Sequence, residues 1–264
     1  MSPQQKYTSK LAGTAILVVG GTSGLGFGVA EASIEYNAAH VYISSSSSQK
    51  VDTAISRLKA SYPDTETHIT GIVCNLGDEA SLEENVAALF AKIDGKLDHI
   101  VFTAGEPLSP KPIADIDVAF MRKAGVVRFL APYFISKHGV KHLNPGPASS
   151  ITITSGSVAE KPNLNWTVVA SYAAGLHGMI RALALELKPV RVNLISPGGV
   201  ETELWESILG SREAAQRAIG AMHARSTTGK IGSVEDVVES FLYVMKDKNV
   251  TGTVIRSDGG AFLL

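Results

Sequence analysis

A glycine-rich turn follows the first apolar run and is the clearest chemical signal in this sequence. It reads Gly20-Gly21-Thr22-Ser23-Gly24-Leu25-Gly26 and opens a segment with helical spacing. Glycines let the main chain approach a pyrophosphate, and a helix start offers free N–H groups and the positive end of its dipole. The turn therefore predicts a dinucleotide site. Its contacting residues would be Gly20, Thr22, Ser23, Gly24, Leu25 and Gly26.

A run of serines about twenty residues further on bears on which dinucleotide would bind. An acidic side chain at the end of the second strand would bind the ribose 2'-hydroxyl of NAD(H) and repel a 2'-phosphate. This region has no acidic residue and offers Ser44, Ser45, Ser46 and Lys50 instead. Hydroxyls and an ammonium can bind a phosphate, which favours NADP(H) as the cofactor. The alternative is a solvated serine loop that binds nothing.

Apolar runs alternate with helical patterns along the whole chain, and these elements must position the turns. The strand-like runs are TAILVVG, HVYIS, THITGIV, LDHIVFT, SSITITS, VRVNLIS and TGTVIRS. Most are continuously apolar, as expected for strands that helices cover on both faces. Helices are predicted over residues 24–36, 50–62, 81–94, 114–142, 168–187 and 234–246. The alternation predicts an α/β fold, a single-domain Rossmann fold with a doubly wound, seven-stranded parallel sheet.

The domain organisation follows from what is missing between these elements. No Pro/Gly-rich linker divides the chain, so residues 1–264 are predicted to form one NADP-binding domain. Within it, residues 201–228 are predicted to be a mobile helical segment that covers the substrate.

Composition excludes several classes of function. The 264 residues include 24 Lys plus Arg against 25 Asp plus Glu, a net charge of -1, so no nucleic-acid partner is expected. Glycines interrupt the uncharged stretch 11–30, and we expect neither a membrane span nor a secretory signal. A single cysteine, Cys74, allows neither an internal disulfide nor a thiolate zinc site. We expect no metal and a cytoplasmic location.

Several further motifs make the sequence similar to the short-chain dehydrogenase/reductase family along essentially its whole length. They are Cys74-Asn75-Leu76, Thr103-Ala104-Gly105, Ser155-Gly156-Ser157, ALALEL, Arg191-Val192-Asn193, the run from Ser196 to Thr202, and Thr251-Gly252 with Asp258-Gly259-Gly260. The resemblance implies that position 75 contacts adenine and that positions 200 and 202 bind the nicotinamide carboxamide. The cofactor positions carried over are Asn75, Leu76, Thr103, Ala104, Gly105, Pro197, Gly198, Val200 and Thr202. It also implies a homotetramer or homodimer built from the helices at 114–142 and 168–187.

The chain departs from the family where proton transfer takes place. The family uses a serine, a tyrosine followed four residues later by a lysine, and an asparagine on the preceding long helix. Alignment on the run AGLHG places Val169 at the tyrosine and Ala173 at the lysine. Gly125 falls near the asparagine position, with Arg128 where a small residue is usual. Ser157 remains, either as a catalytic residue or as a partner for backbone groups.

The predicted helix 168–187 carries two other titratable residues, Tyr172 and His177. Tyr172 lies three residues beyond Val169, but the residue four positions further on is Leu176. Without a nearby cation nothing activates its hydroxyl as an acid, so helix packing is favoured over acid catalysis. His177 is interpreted as a packed or subunit-interface residue.

The missing proton donor restricts the substrate. Hydride delivery to a ketone creates an alkoxide, which needs protonation or electrostatic stabilisation. An iminium carbon already carries positive charge, so hydride neutralises it and no proton is required. The pattern favours an iminium-type electrophile over a simple ketone.

The sequence also resembles a smaller group, the fungal reductases that double as Diels-Alderases in bicyclo[2.2.2]diazaoctane indole alkaloid biosynthesis. The matching segments include 125–129 and the Pro-x-x-x-Trp stretch 162–166. The resemblance implies that Arg128 and an aspartate three residues before Trp166 handle the substrate. Asn163 stands at that aspartate position. An amide can hydrogen-bond but cannot take a proton, so Asn163 is expected to weaken or abolish the acid-base step.

Three functions remain open from the sequence. The favoured one is an NADP(H)-dependent enzyme that reduces an iminium-type indole alkaloid precursor and could also template an intramolecular Diels-Alder cyclisation, with Arg128, Asn163, Trp166 and Ser157 as catalytic candidates. Trp166 would present its face to a flat or cationic substrate, or simply cover the core. Arg128 would bind a substrate oxygen or form a structural salt bridge. The alternatives are a conventional reductase of another secondary metabolite with a substitute proton donor, and a non-catalytic NADP-binding protein.

Overall fold

The computed structural model of the protein describes residues 5–108, 110–202, 205 and 209–264. These residues contain a seven-stranded sheet in the order β3-β2-β1-β4-β5-β6-β7. Its strands are β1 (Ala15–Val19), β2 (His40–Ser45), β3 (His68–Val73), β4 (His99–Phe102), β5 (Ser150–Thr154), β6 (Arg191–Pro197) and β7 (Val254–Ser257). Every neighbouring pair is parallel. The predicted fold class is therefore confirmed.

The helices connect these strands across the two faces of the sheet. They are α1 (Gly24–Glu35), α2 (Ser48–Ser61), α3 (Leu82–Phe90), α4 (Val118–Gly125), α5 (Ala131–Gly139), α6 (Thr167–Glu186), α7 (Arg212–His223) and α8 (Val234–Lys246). Their bounds agree with the predicted helices to within a few residues, except in the region 114–142 and at α7, which falls within the predicted covering segment.

Alternate residues of β1 enter different cores, which explains why the strand is apolar throughout. Leu17 and Val19 pack in a cluster that also holds buried residues of α3, α5 and α6. Ile16 and Val18 pack in the opposite cluster, with buried residues of α1, α2 and α8. Because successive strand side chains point to opposite faces, a strand buried on both sides cannot alternate between apolar and polar residues.

The prediction of one helix over 114–142 is wrong in detail. A 3-10 turn at Ile113–Asp115 precedes α4, which begins only at Val118, because Asp117 caps it by accepting from the Phe120 N–H at 2.7 Å. A π-helical segment at Val126–Leu130 then separates α4 from α5, and a 3-10 turn at Val140–His142 ends the region. Arg128 lies inside the π segment.

The predicted covering segment 201–228 contains α7, whose start is capped by the Ser211 side chain. Of the residues of α7, Ala215 alone is buried, so this helix packs little side-chain surface against the rest of the fold. Residues 203–204 and 206–208 of the predicted segment lie outside the described residues. That this segment is mobile and covers the substrate stays a prediction.

Helix α6 is long and mostly apolar, although much of it lies outside the core. Its most apolar 18-residue window has a mean hydropathy of 1.4, and only 22% of that window is buried, so by length and composition alone it could span a membrane. In the fold it instead connects β5 to the adjacent parallel strand β6, and Leu176, Ile180 and Leu183 pack into the core of the sheet. The exposed side of this crossover helix carries small and polar residues together with Leu185.

Candidate nucleotide and substrate site

The predicted site residues gather at the carboxyl edge of the sheet. All described strands run in one direction, so their carboxyl ends meet at one edge. The strand order reverses between β1 and β4, where Val19 pairs with Phe102. Turns on either side of such a reversal leave a crevice, which is the usual ligand site of an open α/β sheet. The predicted turns after β1 and β4 flank this crevice.

The turns after β1 and β4 touch through main-chain atoms. A Cβ on Gly20 would lie 2.5 Å from the Ala104 nitrogen, and Gly20 has a φ of +91°. A Cβ on Gly26 would lie 2.2 Å from the Gly20 oxygen and 2.4 Å from Thr103 Oγ1. The Thr103 hydroxyl in turn donates to the Gly20 oxygen at 3.3 Å. No side chain larger than a hydrogen atom fits at Gly20 or Gly26, so the main chain itself forms the floor of the crevice.

The N-terminus of α1 opens onto this floor with its first N–H groups not capped by a side chain. Ser23 stands at the cap position, but its hydroxyl makes no capping hydrogen bond, and the first turn holds no acidic residue. These groups and the helix dipole suit an anion. A Cβ on Gly24 would lie 3.5 Å from Thr202 Cγ2. The structure thus brings the phosphate turn beside the predicted nicotinamide-binding segment after β6.

The serines after β2 divide into structural and exposed residues. Ser44 is buried, and its main-chain oxygen accepts from the Gly20 and Gly21 N–H groups at 2.8 and 3.2 Å. Its Oγ has no hydrogen-bond partner among the described residues. Ser45 is half-buried, whereas Ser46 and Lys50 are exposed in the first residues leading into α2. The first turn of α2 contains no acidic residue, so nothing there would repel a phosphate.

Beyond β3, the structure places the predicted adenine position next to a carboxylate. Asn75 is exposed, and its Oδ1 accepts from the Gly77 N–H at 3.0 Å, whereas Leu76 is buried in the core. A Cβ on Gly77 would lie 3.4 Å from Asn75 Oδ1 and 3.3 Å from Glu106 Oε1. Glu106 directly follows the predicted Thr103-Ala104-Gly105 turn. Sequence reasoning missed Glu106, although a charged residue directly after a cofactor turn was a usable signal.

The segment after β6 closes the crevice on the other side. Pro197 ends β6 and is buried. A Cβ on Gly198 would lie 2.8 Å from the Asp258 Cα, so the end of β7 packs directly on this segment. The Val200 oxygen accepts from the indole N–H of Trp205 at 2.8 Å. These contacts fix the main chain on which Thr202 is carried.

Arg128 lies against the turn after β4, next to Gly105 and Glu106. A Cβ on Gly105 would lie 2.8 Å from its Cζ, and its Nη2 donates to the Glu106 main-chain oxygen. Burial lowers the pKa of Arg128 to about 10, and the Glu106 carboxylate opposes part of that shift. The guanidinium therefore stays charged at neutral pH while most of its surface is desolvated. A half-buried cation whose guanidinium is largely desolvated is costly unless it meets acceptors, and π segments often occur at functional sites.

The positions aligned with the family's tyrosine and lysine lie on α6 and carry apolar side chains. Val169 and Ala173 are both half-buried, and the Ala173 main-chain oxygen accepts from the Ser155 hydroxyl at 3.0 Å. Ser157 begins a 3-10 turn after β5 and is half-buried. The structure thus places the retained serine near the start of the loop that leads to α6.

Tyr172 is engaged in packing between helices. Its hydroxyl donates to the Met121 main-chain oxygen at 3.0 Å, and a Cβ on Gly125 would lie 2.6 Å from its ring. Its ring also lies 5.3 Å from that of Phe129. A hydroxyl whose proton is held by a carbonyl is poorly placed to act as an acid, which agrees with the packing interpretation. His177 is half-buried on the same helix, and burial lowers its pKa.

Asn163 and Trp166 lie on the loop between β5 and α6. Asn163 is exposed, and its main-chain oxygen accepts from the main-chain N–H of Trp166 at 3.2 Å. Trp166 is half-buried at the N-cap of α6. The loop is joined to the segment after β4 by a hydrogen bond from the Lys111 N–H to the Asn165 oxygen at 2.8 Å. This hydrogen bond holds the loop that carries Asn163 and Trp166 against the segment after β4.

The residues of the crevice fit a dinucleotide. Main-chain floor, open helix N-terminus and exposed hydroxyls with a lysine match the pyrophosphate and ribose parts of such a molecule. Among the described residues, no group of three or more His, Cys, Asp or Glu side chains is arranged to hold a metal ion.

Comparison with known proteins places this geometry in a family context. Residues 7–264 match the family described as SDR-like Rossmann domain. The short-chain dehydrogenase/reductase fsr5 of Gibberella fujikuroi is 44% identical over 265 residues, which is 100% of both chains. The corresponding enzyme malC of Malbranchea aurantiaca is 39% identical over 100% of both chains.

Solved structures agree with these relatives. The structure of the MalC reductase/Diels-Alderase superposes with a TM-score of 0.91 at 38% identity, covering 98% of this chain and 100% of that one. A small-chain dehydrogenase in complex with NADPH superposes with a TM-score of 0.76 at 28% identity, covering 95% and 99% of the two chains. The expected similarity to the fungal reductase/Diels-Alderase group is confirmed.

Replacement of Gly26 tests the crevice directly. Gly26→Ala should weaken dinucleotide binding by about 100-fold or more, because the added methyl displaces the main-chain floor by overlap with the Gly20 oxygen. Binding is measured by NADPH fluorescence and folding by circular dichroism. Gly178→Ala, on α6 in open space, is the matched control and should bind normally. Normal binding by Gly26→Ala would contradict the assignment.

Proposed function

Because the chain belongs to the short-chain dehydrogenase/reductase family, we propose that it is an NADP(H)-dependent reductase of a substrate with an iminium-type carbon. One observation carries the proposal. The dinucleotide crevice keeps its glycine floor and open helix end, whereas α6 carries Val169 and Ala173 where the family alignment expects a tyrosine and a lysine.

The chemistry follows from the residues that remain. The dinucleotide supplies a hydride when bound. A ketone that accepts hydride becomes an alkoxide, and the side chains at 169 and 173 offer it neither a proton nor a hydrogen bond. A carbon that carries positive charge becomes neutral on accepting hydride, so it needs no acid. An iminium-type electrophile therefore suits this site better than a ketone.

Arg128 would orient the substrate through an oxygen. Its guanidinium is charged, half-buried and in contact with the Gly105 turn. A desolvated guanidinium binds an amide or carbonyl oxygen more strongly than one in water does. The diketopiperazine amides of an indole alkaloid precursor are acceptors of this type. Binding such an oxygen would hold the substrate by a group remote from its positive carbon, which the charged guanidinium would repel.

Asn163 and Trp166 would complete the substrate pocket. The amide can hydrogen-bond a polar group, and an indole face suits a flat or cationic polycycle. The solved relative MalC is named a reductase and Diels-Alderase. A pocket that holds diene and dienophile at reacting distance can accelerate an intramolecular cycloaddition through shape alone. We include this second activity in the proposal, for a polycyclic or prenylated indole substrate of fungal secondary metabolism.

The preference for NADP(H) is testable at Lys50. Lys50→Met should raise the dissociation constant for NADPH by about tenfold and leave that for NADH unchanged, since the ammonium would contact only the 2'-phosphate. Titration with both dinucleotides by intrinsic fluorescence measures this. Lys59→Met, further along the exposed face of α2, is the control. Equal losses for both dinucleotides would contradict the assignment of Lys50.

The substrate class is tested by NADPH consumption against cyclic iminium salts and ketones of matched size. Turnover is expected with the iminium salts alone. Asn163→Asp should raise kcat/KM by about tenfold or more, because a carboxylate pairs with the cationic carbon where an amide cannot. Asn249→Asp, on the loop before β7, is a charge-matched control and should have no effect. Turnover of ketones, or silence of both variants and the parent, would reject the proposal.

We also propose a homo-oligomer built on the outer faces of α4, α5 and α6. Val118, Met121 and Leu185 are 69%, 43% and 74% exposed. Exposed apolar side chains on the neighbouring helices α4 and α6 fit an interface between copies.

The double variant Val118→Glu with Leu185→Glu should therefore shift the mass measured by light scattering to that of a smaller assembly. Lys59→Glu, remote from these helices, should leave the mass unchanged. A monomeric parent protein, or an unaltered mass for the double variant, would contradict this proposal.

A further inference from the structure

The loop between β5 and α6, residues 157–166, is held by the last residues of the described chain. We call it the β5–α6 loop, and we call residues 256–264 the C-terminal segment. Lys161 reaches from the loop across to this segment. Its Nζ donates to the Ala261 oxygen at 2.6 Å and also to the Leu264 oxygen. A single exposed side chain thus joins two stretches about 100 residues apart in sequence.

An ion pair next to Lys161 makes the same connection. The Arg256 guanidinium binds the Glu160 carboxylate in a bidentate manner, with Nε to Oε1 at 3.1 Å and Nη2 to Oε2. The guanidinium also lies over the Phe262 ring, 5.0 Å from its centre. An exposed pair of this type adds little stability on its own. The pair nevertheless joins the residue next to Lys161 to the same C-terminal segment.

The C-terminal segment is itself held to the end of the predicted covering segment. The Gly259 oxygen accepts from Ser226 Oγ at 2.8 Å, from Thr227 Oγ1 at 2.9 Å and from the Thr228 N–H at 3.2 Å. A Cβ on Gly260 would lie 1.9 Å from Thr227 Oγ1. The C-terminal segment therefore contacts both the β5–α6 loop and the end of the predicted covering segment.

The β5–α6 loop is fixed at its two ends and exposed between them. The Lys111 N–H holds the Asn165 oxygen at one end, and Asn165 adopts a left-handed φ of +67°. Glu160 and Lys161 hold the other end. Between these ties Asn163 is exposed, and Leu164 is 88% exposed. The placement of Asn163 and of the adjoining Trp166 thus depends on both ties.

We propose that Lys161 is a positioning residue, whose bonds to the C-terminal segment hold Asn163 and Trp166 at the substrate. The proposal rests on the function proposed above, in which those two residues face the substrate. Lys161 touches neither cofactor nor reacting atoms and acts through the loop alone. Its removal should loosen the loop, weaken substrate binding and leave dinucleotide binding intact.

Tryptophan fluorescence tests the positioning without any substrate. The sequence has two tryptophans, so a Trp205→Phe background leaves Trp166 as the reporter. Adding Lys161→Met should raise the acrylamide quenching constant by about 1.5-fold or more, because a freed loop exposes the indole. Lys161→Arg should restore the parent value, and Lys59→Met should not change it. An unchanged quenching constant in folded Lys161→Met overturns the proposal.

Kinetics with the iminium substrate form the second arm. Lys161→Met should raise the substrate KM by about threefold or more, keep the KM for NADPH, and change kcat less than KM. A fall in kcat with the KM for the substrate and the KM for NADPH both unchanged would overturn the positioning role. If quenching rises but no variant turns over any electrophile, the tie to the loop stands and the proposed reductase function fails. The positioning role of Lys161 and the reductase function can therefore be rejected separately.

Discussion

The contact between the turns after β1 and β4 determines the rest of the carboxyl edge. With main-chain atoms of Gly20 and Ala104 so close that a Cβ would lie 2.5 Å away, no side chain stands between the two halves of the sheet. The first turn of α1 can therefore reach the crevice, and the segment after β6 can approach it from the far side. Each further feature of the site, from the open helix end to the position of Thr202, presupposes this approach.

Much of the fold and of the nucleotide end could be predicted from the sequence because both depend on local pattern. Continuous apolar runs such as TAILVVG require burial on both faces, and a glycine turn between a strand and a helix has few other uses. Other features depend on contacts that no local pattern encodes. Ser44 is buried although Ser46 and Ser48 of the same serine run are exposed, and the π segment interrupts a stretch whose apolar spacing looks helical throughout. Glu106 acquires its meaning only from the distant Arg128.

The part of the crevice around Arg128, where we propose that the substrate binds, holds one largely desolvated cation beside apolar and amide groups. The Arg128 guanidinium has the Glu106 main-chain oxygen as an acceptor and feels the Glu106 charge, so its desolvation is only partly compensated. Uncompensated hydrogen-bond capacity favours a polar ligand atom. Val169 and Ala173, the two α6 positions that align with the family's tyrosine and lysine, are apolar. A site with this distribution of charge is suited to binding and orienting, and less suited to moving protons.

The π segment also has a meaning for how such sites diverge. A π turn places one more residue in a turn than an α turn does, and each residue of a helix turns the next side chain by about 100°. Gain or loss of one residue within Val126–Leu130 would therefore bring a different side chain against Gly105, while α4, α5 and the sheet kept their places. Chains that share this fold can in this way exchange the group facing the substrate by a single insertion or deletion, without remaking the core. Chemistry at this position can change faster than architecture.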